Sequence, residues 1–340
     1  MAVCVFLSYP AFSQDAGPAT NCPELSIIPR IDANPFSPYV YSLLDGSIGE
    51  HISYSFSNLW VSDDTPSLYA NTFKTPEADW CQWAYVSLDF GNWHFSGGKQ
   101  CVAVGSFECD EYDFDQYWQM CSTFWNNYQL YQYGGSVSYD TPSENTTITL
   151  QLTSSPIFEH AFDNGAKTWS FKWTGEYGPY SAIWSANMMD YKEEPGCKDK
   201  MCMFILGNKL DLEENLSLGL DLYMFYGYPS RYAPGAGKSG ERYYDNRSHS
   251  IVPFFKWQPF DWMDVTVKGI FEKSSGIEED FFGIPEKYIN GGVCLQFYPF
   301  SSLDGLRIHA LAGKDNIEGA YWSAGITYNF NLTQTLFNRR

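Results

Sequence analysis

The chain repeats one pattern, in which apolar and polar side chains alternate over segments of about ten residues. Residues 216–226, LSLGLDLYMFY, place leucine, methionine or tyrosine at every second position. Because successive side chains of a strand point to opposite faces, this segment has one apolar face and one mixed face. Ordinary strands have about five or six residues, whereas a tilted membrane strand needs about 9 to 11.

The same alternation recurs in further segments, and none of them shows helical periodicity over a comparable length. They are TITLQL at 147–152, WSFKWT at 169–174, MDVTVK at 263–268, and the segments 289–297 and 322–332. The sequence therefore predicts an all-β fold.

Short and long links alternate between these segments. Short turns are expected near 45–48, 90–92, 140–145, 176–179, 212–215, 259–262 and 300–305. Longer links are expected at 61–79, 105–127, 155–166, 192–200, 228–248, 273–286 and 314–319. A closed antiparallel barrel with short periplasmic turns at one rim and long extracellular loops at the other produces this alternation.

Two surroundings are possible for the apolar faces. In a soluble sandwich they pack on a second sheet, and in a transmembrane barrel they contact lipid while the mixed faces line a water-filled lumen. The long strands and the aromatic residues at strand ends, such as Trp257 and Trp262, favour the barrel. No run reaches the ~18 consecutive apolar residues of a membrane-spanning helix. We therefore expect a closed antiparallel transmembrane β-barrel of about 16 strands, surrounded by outer-membrane lipid.

The barrel is expected to occupy residues 38–332, with a short tail at 333–340. Residues 14–37 form an N-terminal segment whose stretch LSIIPRI would supply the first strand, although Pro29 is unfavourable in a central strand. Residues 1–13 are interpreted as a truncated signal peptide, because small residues follow a short apolar run although the basic n-region is missing.

The acidic balance limits the partners of the chain. It has 21 Lys and Arg against 40 Asp and Glu, for a net charge of -19. This charge argues against nucleic acid as a partner and favours cations over anions in a pore. Neither an HExxH nor a G-x-S-x-G motif is present, and the five histidines lack ligand spacing. We therefore expect no enzyme, no metal and no cofactor.

Four stretches resemble outer-membrane porins of the phosphate-selective porin O/P type. They are GSIGEHISYSFSNLW (46–60), the segment 83–117 with its Gly-Lys-Gln, LYQYGGSVSYDTPSENTTITLQLTSSP (130–156) and AGITYNF (324–330). The resemblance implies a barrel of about 16 strands that is often trimeric and passes small solutes. Phosphate-selective members guide anions with many Arg and Lys, whereas this chain is rich in acids.

Strand parity assigns several charged side chains to the lumen, where they would bias which ions enter or simply pair across strands. The pore-lining candidates are Lys172, Asp221, Asp264, Lys268, Arg307 and His309. Lys99 is added from the resemblance, although the neighbouring pair Gly97–Gly98 permits a bulge that leaves its facing open.

The acidic stretch ECDEYDFD is the strongest candidate for a constriction. Its carboxylates are Glu108, Asp110, Glu111, Asp113 and Asp115. Folded into the lumen, this loop would narrow the pore with negative charge; the alternatives are an exposed acidic loop and a calcium site. Cys109 with Cys121, and Cys197 with Cys202, each flank an expected loop and are possible disulfides, with unpaired structural thiols as the alternative.

The sequence thus favours an outer-membrane porin for small hydrophilic solutes or ions, with a preference for cations. One alternative is an outer-membrane barrel with a closed lumen and a structural or surface-binding role. A second is a soluble secreted β-protein that binds glycans.

Overall fold

The computed structural model describes residues 23–33, 36–61, 81–111, 114–116, 120–122, 124, 131–155, 161–162, 165–190, 200–226, 247–275, 287–300, 305–317 and 319–333. The strands are β1 (Glu24–Ala33), β2 (Phe36–Ile48), β3 (Ile52–Val61), β4 (Cys81–Phe90), β5 (Trp93–Cys101), β6 (Tyr131–Asp140), β7 (Thr146–Ser154), β8 (Lys167–Tyr177), β9 (Tyr180–Asp190), β10 (Lys200–Glu213), β11 (Leu216–Tyr226), β12 (Arg247–Phe260), β13 (Met263–Ser275), β14 (Lys287–Phe297), β15 (Leu306–Asp315), β16 (Ala320–Tyr328) and β17 (Phe330–Asn331). A single-turn helix, α1 (Phe107–Asp110), and a 3-10 turn (Phe114–Gln116) lie between β5 and β6. None of the helices in these ranges is long and apolar enough to cross a membrane.

Each long strand pairs antiparallel with its neighbour in the chain, and β1 pairs with both β2 and β16. The sheet is therefore a closed barrel of sixteen strands, in which the two-residue β17 continues the line of β16 along β1. Closure removes the open edge that a sheet would otherwise present. The predicted fold is confirmed, including the first strand, which spans Glu24–Ala33.

Pro29 lies where the seam between the two ends of the chain is interrupted. On one side β1 pairs continuously with β2, and Pro29 is opposite Val40. On the other side Arg30 pairs with Thr327 and Ile27 pairs with Phe330, so the residues between them fall in the gap between β16 and β17. Because proline has no backbone N–H to donate to the ladder, the strand tolerates it at this gap.

The alternating pattern separates a lipid-facing surface from the lumen. In β11, Leu218 and Leu220 are exposed on the outside, while Asp221, Tyr223 and Phe225 are buried on the inside. At the short-turn end, many of the exposed outer residues are aromatic, including Phe90, Trp93, Trp257, Phe260 and Trp262. Such a band is typical of the membrane–water interface of a barrel.

The links agree with the predicted alternation except for one boundary. The stretch DGSI at 45–48 was expected to be a turn, but it forms the end of β2, and the turn comes at residues 49–51. Gly49 adopts a φ of 68°, which explains why the chain reverses there rather than earlier. Residues 1–13 and 334–340, the expected signal peptide and nearly all of the tail, lie outside the described residues.

Neighbouring residues of β7 provide a test of the two faces. Leu150 has 60% of its side-chain surface exposed on the outside, whereas Thr149 points inward and hydrogen-bonds Ser138 across the strand pair at 2.9 Å. We expect Leu150→Arg to lower the free energy of unfolding in lipid vesicles by about 2 to 4 kcal/mol, because the charge would enter hydrocarbon. Thr149→Arg is the matched control and should cost much less, and equal losses for the two variants would contradict the assignment of faces.

Candidate functional site

The segment between β5 and β6, which we call the lumen loop (residues 102–130), folds against the inner wall of the barrel. Its described residues are 102–111, 114–116, 120–122 and 124. The amide of Ala103 donates to Gln151 Oε1 on β7 at 2.7 Å, and the amide of Gly105 donates to Ser185 Oγ on β9 at 2.9 Å. The loop therefore follows the wall from β5 across β7 and β9.

Helix α1 is held at its start by a carboxylate of the wall. Asp221 on β11 accepts the amide of Phe107 at 3.0 Å with one oxygen and the amide of Glu108 at 2.7 Å with the other. Ser106 adds its own cap, since its hydroxyl accepts the amide of Cys109 at 3.1 Å. The exposed amides of a helix start need such acceptors. Asp221 thus fixes the position of the loop.

A glycine of the wall permits this close approach. Gly207 on β10 lies beside Asp221, and a Cβ added to it would stand 2.8 Å from Asp221 Oδ1 and 3.1 Å from the Cα of Ser106. Any larger residue would push the loop away from the wall. The absence of a side chain at Gly207 is therefore part of the seat of α1.

Glu108 is the centre of a buried polar cluster. Its carboxylate accepts from Lys268 Nζ at 2.5 Å and from Tyr223 Oη at 2.8 Å. The amide and hydroxyl of Ser122, farther along the loop, donate to it at 2.9 and 2.5 Å. One carboxylate therefore joins the two branches of the loop to β11 and β13.

Asp115 forms a second buried cluster where the barrel closes. Arg30 of β1 donates to one of its oxygens, and Arg307 Nε of β15 lies 2.7 Å from the other. Gln296 Nε2 of β14 donates to Asp115 at 2.7 Å. Arg30 also binds both oxygens of Asp32, at 2.8 Å each. The loop is thus joined to the strands of both chain ends.

Two further acids of the loop reach other parts of the wall. Glu111 accepts from Lys209 of β10 and from Lys256 of β12, each at 2.5 Å. Asp110 lies 3.9 Å from Lys172 of β8. The four described acids of the loop therefore contact basic residues on β1, β8, β10, β12, β13 and β15.

Burial and pairing set the pKa values of these loop acids. Burial alone would raise the pKa of Glu108, but Lys268 and the hydrogen bonds from Ser122 lower it overall. The pKa values of Asp115 and Glu111 are also lowered, since their cations outweigh the effect of burial. Asp110 differs, because burial raises its pKa and Lys172 opposes the change only in part.

Apolar contacts complete the attachment of the loop. Met120 is buried against Cys294 and Leu311 of the wall. Phe124 stacks on two aromatic rings of β11, with ring centroids 5.3 Å from Tyr223 and 5.2 Å from Phe225. These contacts remove apolar surface from water on the same side of the lumen that carries the ion pairs.

The opposite side of the lumen is lined by hydroxyl groups. The inward, partly exposed residues of β3 to β7 include Ser53, Ser55, Ser87, Ser96, Ser136, Ser138, Thr147 and Thr149, which we call the hydroxyl wall. In the described part of β2 to β7, no Lys or Arg occupies an inward position. The lumen therefore has one side that holds the loop through ion pairs and an opposite side that is rich in hydroxyl groups and has no described inward Lys or Arg, although Asp89 and Asp140 there both contact His94.

Most of the residues assigned to the lumen by parity lie on the inner face. Lys172, Asp221, Lys268 and Arg307 contact the loop as described above. His309 lies between Asp32 and Asp115, at 3.0 and 3.2 Å. Asp264 accepts the hydroxyl of Tyr298 at 3.0 Å. Asp113 lies outside the described residues.

Lys99 has a different position from the one expected of a pore-lining residue. Pairing runs through Gly97 and Gly98 without a bulge, so Lys99 keeps the outward parity of Phe95. Its ammonium donates to the carbonyl of Cys81 at 2.6 Å and lies 5.7 Å from the ring centre of Tyr133. Lys99 therefore faces away from the lumen.

Of the two alternatives for Cys109 and Cys121, the structure has the unpaired one, and both residues are buried thiols. The Cys121 sulfur donates instead to the carbonyl of Gln116 at 3.7 Å. Buried polar contacts such as those of Glu108 with Ser122 join the two branches of the loop without a covalent bond. Cys202 is also a thiol, and Cys197 lies outside the described residues.

Three basic wall residues that bind the loop were not anticipated: Arg30, Lys209 and Lys256. Lys209 and Lys256 each lie in a strand at a position of inward parity, so the alternation around them could have identified both. Arg30 could not be identified in the same way, because Pro29 made the strand assignment of its segment weak.

A comparison with protein-family models gives no match, and a comparison with curated proteins gives none either. Solved structures show the fold. The chain is similar to OmpF of Salmonella typhi, in a complex with daunomycin, with 12% identity over 91% of this chain and 97% of that one at a TM-score of 0.64. The outer membrane channel DcaP of Acinetobacter baumannii gives 12% identity over 91% and 96% at 0.59. OmpT of Vibrio cholerae, in its trimer form, gives 10% over 91% and 98% at 0.55.

The fold is thus that of the outer-membrane porins, a closed barrel whose apolar outer surface suits a lipid bilayer.

Removing the cation that pairs with Glu108 should destabilise the protein. In Lys268→Met the carboxylate of Glu108 would stay buried without its charge partner, so we expect the free energy of unfolding to fall by about 3 to 5 kcal/mol. Hydrogen exchange at the amides of α1 should also become faster. Glu214→Gln, an exposed change in the turn between β10 and β11, is the control and should stay within about 0.5 kcal/mol of the parent.

Acid should loosen the lumen loop. The pKa values of Glu108, Glu111 and Asp115 are lowered by the attachment, so their stabilising contribution is complete above about pH 4 to 4.5 and is lost as the pH falls through the lowered values. The pKa of Asp110 is raised instead, so protonation of this group favours the folded loop as the pH falls. We expect current fluctuations in bilayers to be rare at neutral pH and to increase below about pH 4, and fluctuations that increase toward alkaline pH instead would contradict this sign.

Proposed function

We propose that the protein is an outer-membrane channel that lets small hydrophilic solutes and ions diffuse through a water-filled lumen. The observation that carries this proposal is the one-sided attachment of the lumen loop. Its acids are bound to β1, β8, β10, β12, β13 and β15, and the hydroxyl wall on β3 to β7 stays partly exposed. A passage bounded by the loop and by hydroxyl groups suits hydrated solutes.

The pairing of charges supports a modest preference for cations. The loop acids are largely balanced by wall cations, so they contribute less negative potential than their number suggests. Other inward carboxylates, including those of Asp45 and Asp264, lie outside these loop clusters. Together with the net charge of -19, these groups favour the entry of cations.

Oligomerisation belongs to the same proposal. The resemblance in sequence implies a barrel that is often trimeric, and the structure of OmpT from Vibrio cholerae that shares this fold is described as a trimer form. We propose a homotrimer for this chain. The competing role, a barrel with a closed lumen that serves in structure or surface binding, would follow if the loop filled the section of the lumen completely.

Planar bilayers with the purified protein test the proposal. We expect stepwise conductance, and a reversal potential under a salt gradient that indicates cations as the more permeant ions. Insertion is shown by heat-modifiable migration and by protection of the barrel from protease. If the protein inserts but never conducts, only the structural role remains. Anion selectivity of the parent protein would contradict the proposed charge preference.

A cation placed in the hydroxyl wall should reverse part of the selectivity. Ser96 points into the lumen, where its hydroxyl donates to Gln100 at 2.6 Å and lies 2.7 Å from Ser136 Oγ. We expect Ser96→Arg to reduce conductance and to lower the cation-to-anion permeability ratio, because a fixed positive charge would stand beside the passage. Ser143→Arg, in the exposed turn between β6 and β7, is the matched control and should change both quantities less.

A further inference from the structure

The basic side chains of this acidic protein gather in two places. The structure describes thirteen Lys and Arg residues. The six that point into the lumen, Arg30, Lys172, Lys209, Lys256, Lys268 and Arg307, each approach an acid of the lumen loop. Six others, Lys167, Lys200, Arg247, Lys273, Lys287 and Lys314, form what we call the rim cations; the remaining one is Lys99.

The rim cations lie on the outside of the barrel. Each lies two, four or six positions along its strand from an exposed apolar residue, as Lys273 does from Phe271 and Lys314 does from Ile308. Residues at such even spacing share one face of the strand. Lys200 shares its face with Phe204 in the same way. Five of the six are exposed and Lys167 is partly exposed. None of them points into the lumen.

All six lie at the same end of the barrel. Lys167, Lys200, Arg247 and Lys287 are the first residues of β8, β10, β12 and β14, each of which follows a long link. Lys273 and Lys314 stand near the ends of β13 and β15, where the chain enters the next link. This is the extracellular end, because the short turns of such barrels face the periplasm.

Within the described residues, few carboxylates lie close to the rim cations. In the described part of the chain, a carboxylate lies within 4.0 Å of one rim cation only: Asp190 is 3.7 Å from Lys200. Lys273 and Lys287 are directly opposite each other on paired strands, and His249 is opposite Lys273 on the other side. Like charges in opposite positions destabilise a sheet unless an anion is placed between them.

Aromatic residues mark the depth of this rim. Lys167 lies 5.7 Å from the ring centre of Trp169, which is exposed on the outside. Phe271 and Phe204 hold similar places on β13 and β10. Because aromatic rings gather at the level of the lipid headgroups, the cations just beyond them are at the height of headgroup phosphates.

We propose that the rim cations on β8 to β15 bind phosphate-bearing lipid headgroups of the extracellular leaflet. The excess of positive charge among the described rim residues, its place outside the lumen and its height all agree with an anionic lipid as the occupant. Lysine and arginine bind phosphate through charge-assisted hydrogen bonds. The proposal is independent of conduction, since no rim cation lies in the lumen.

Native mass spectrometry of the detergent-purified protein tests the proposal with diphosphorylated lipid A and its dephosphorylated form as probes. We expect the parent protein to retain the diphosphorylated lipid and to lose it as salt is raised. In Lys273→Gln/Lys287→Gln/Lys314→Gln the affinity should fall by about 100-fold, given the attraction of each cation near an anionic surface. Retention should be weak for the dephosphorylated lipid.

The matched control is Lys273→Arg/Lys287→Arg/Lys314→Arg, which keeps the charge and should keep the lipid. Heat-modifiable migration of all variants verifies that the barrel is folded. Equal retention of the two lipids, or full retention of the diphosphorylated lipid by the glutamine variant, would overturn the proposal. A change in subunit number with unchanged lipid retention would overturn it as well, because it would assign the rim cations to a second copy of the chain.

Discussion

The structure depends on one property of the lipid hydrocarbon: it offers no hydrogen-bond partner for a backbone N–H or C=O. A sheet in lipid must therefore satisfy every backbone group within itself, and a closed barrel does so without an edge. The pairing of β1 with β16 is the step that closes this one. Because each strand alternates its side chains, closure also encloses the mixed faces in one lumen, and their charges and hydroxyl groups must be hydrated or paired there.

The alternation of side chains was sufficient to predict the barrel, the count of strands and the inward facing of Asp221 and Lys268. It was not sufficient to predict which charges meet. Asp115 binds Arg30 and Arg307 across 85 and 192 residues of chain, and such pairs follow from the path of the loop rather than from any local pattern. Parity gives no firm answer beside a glycine pair, where a bulge is equally consistent with the sequence. The facing of Lys99, a pore-lining candidate taken from the resemblance, was therefore open until the strand pairing showed no bulge.

The path of the lumen loop is specified by its charges, while apolar burial adds to its attachment. A buried ion pair contributes little net stability when it is compared with apolar residues of similar size, because desolvation offsets most of the attraction. Breaking such a pair is nevertheless costly, so a loop bound by Glu108, Glu111 and Asp115 has one favourable path and few alternatives. Asp221 reinforces that path because it accepts hydrogen bonds from two backbone amides of α1. Any other position of α1 would lose both hydrogen bonds.

The placement of the basic residues shows how an acidic barrel can keep a negative lumen for permeating cations and still carry positive charge at its outer rim. A positive charge inside the lumen would repel permeating cations, but each described cation there lies against an acid of the loop, which reduces its field at the passage. A positive charge on the outer surface does not reach the passage in the same way, because the barrel wall and a salt-screened solution lie between them. Cations can therefore remain unbalanced on the outer rim, where the lipid headgroups are, while the interior keeps an excess of carboxylates. The alternation of the strands makes this possible, since adjacent residues of one strand belong to different surroundings.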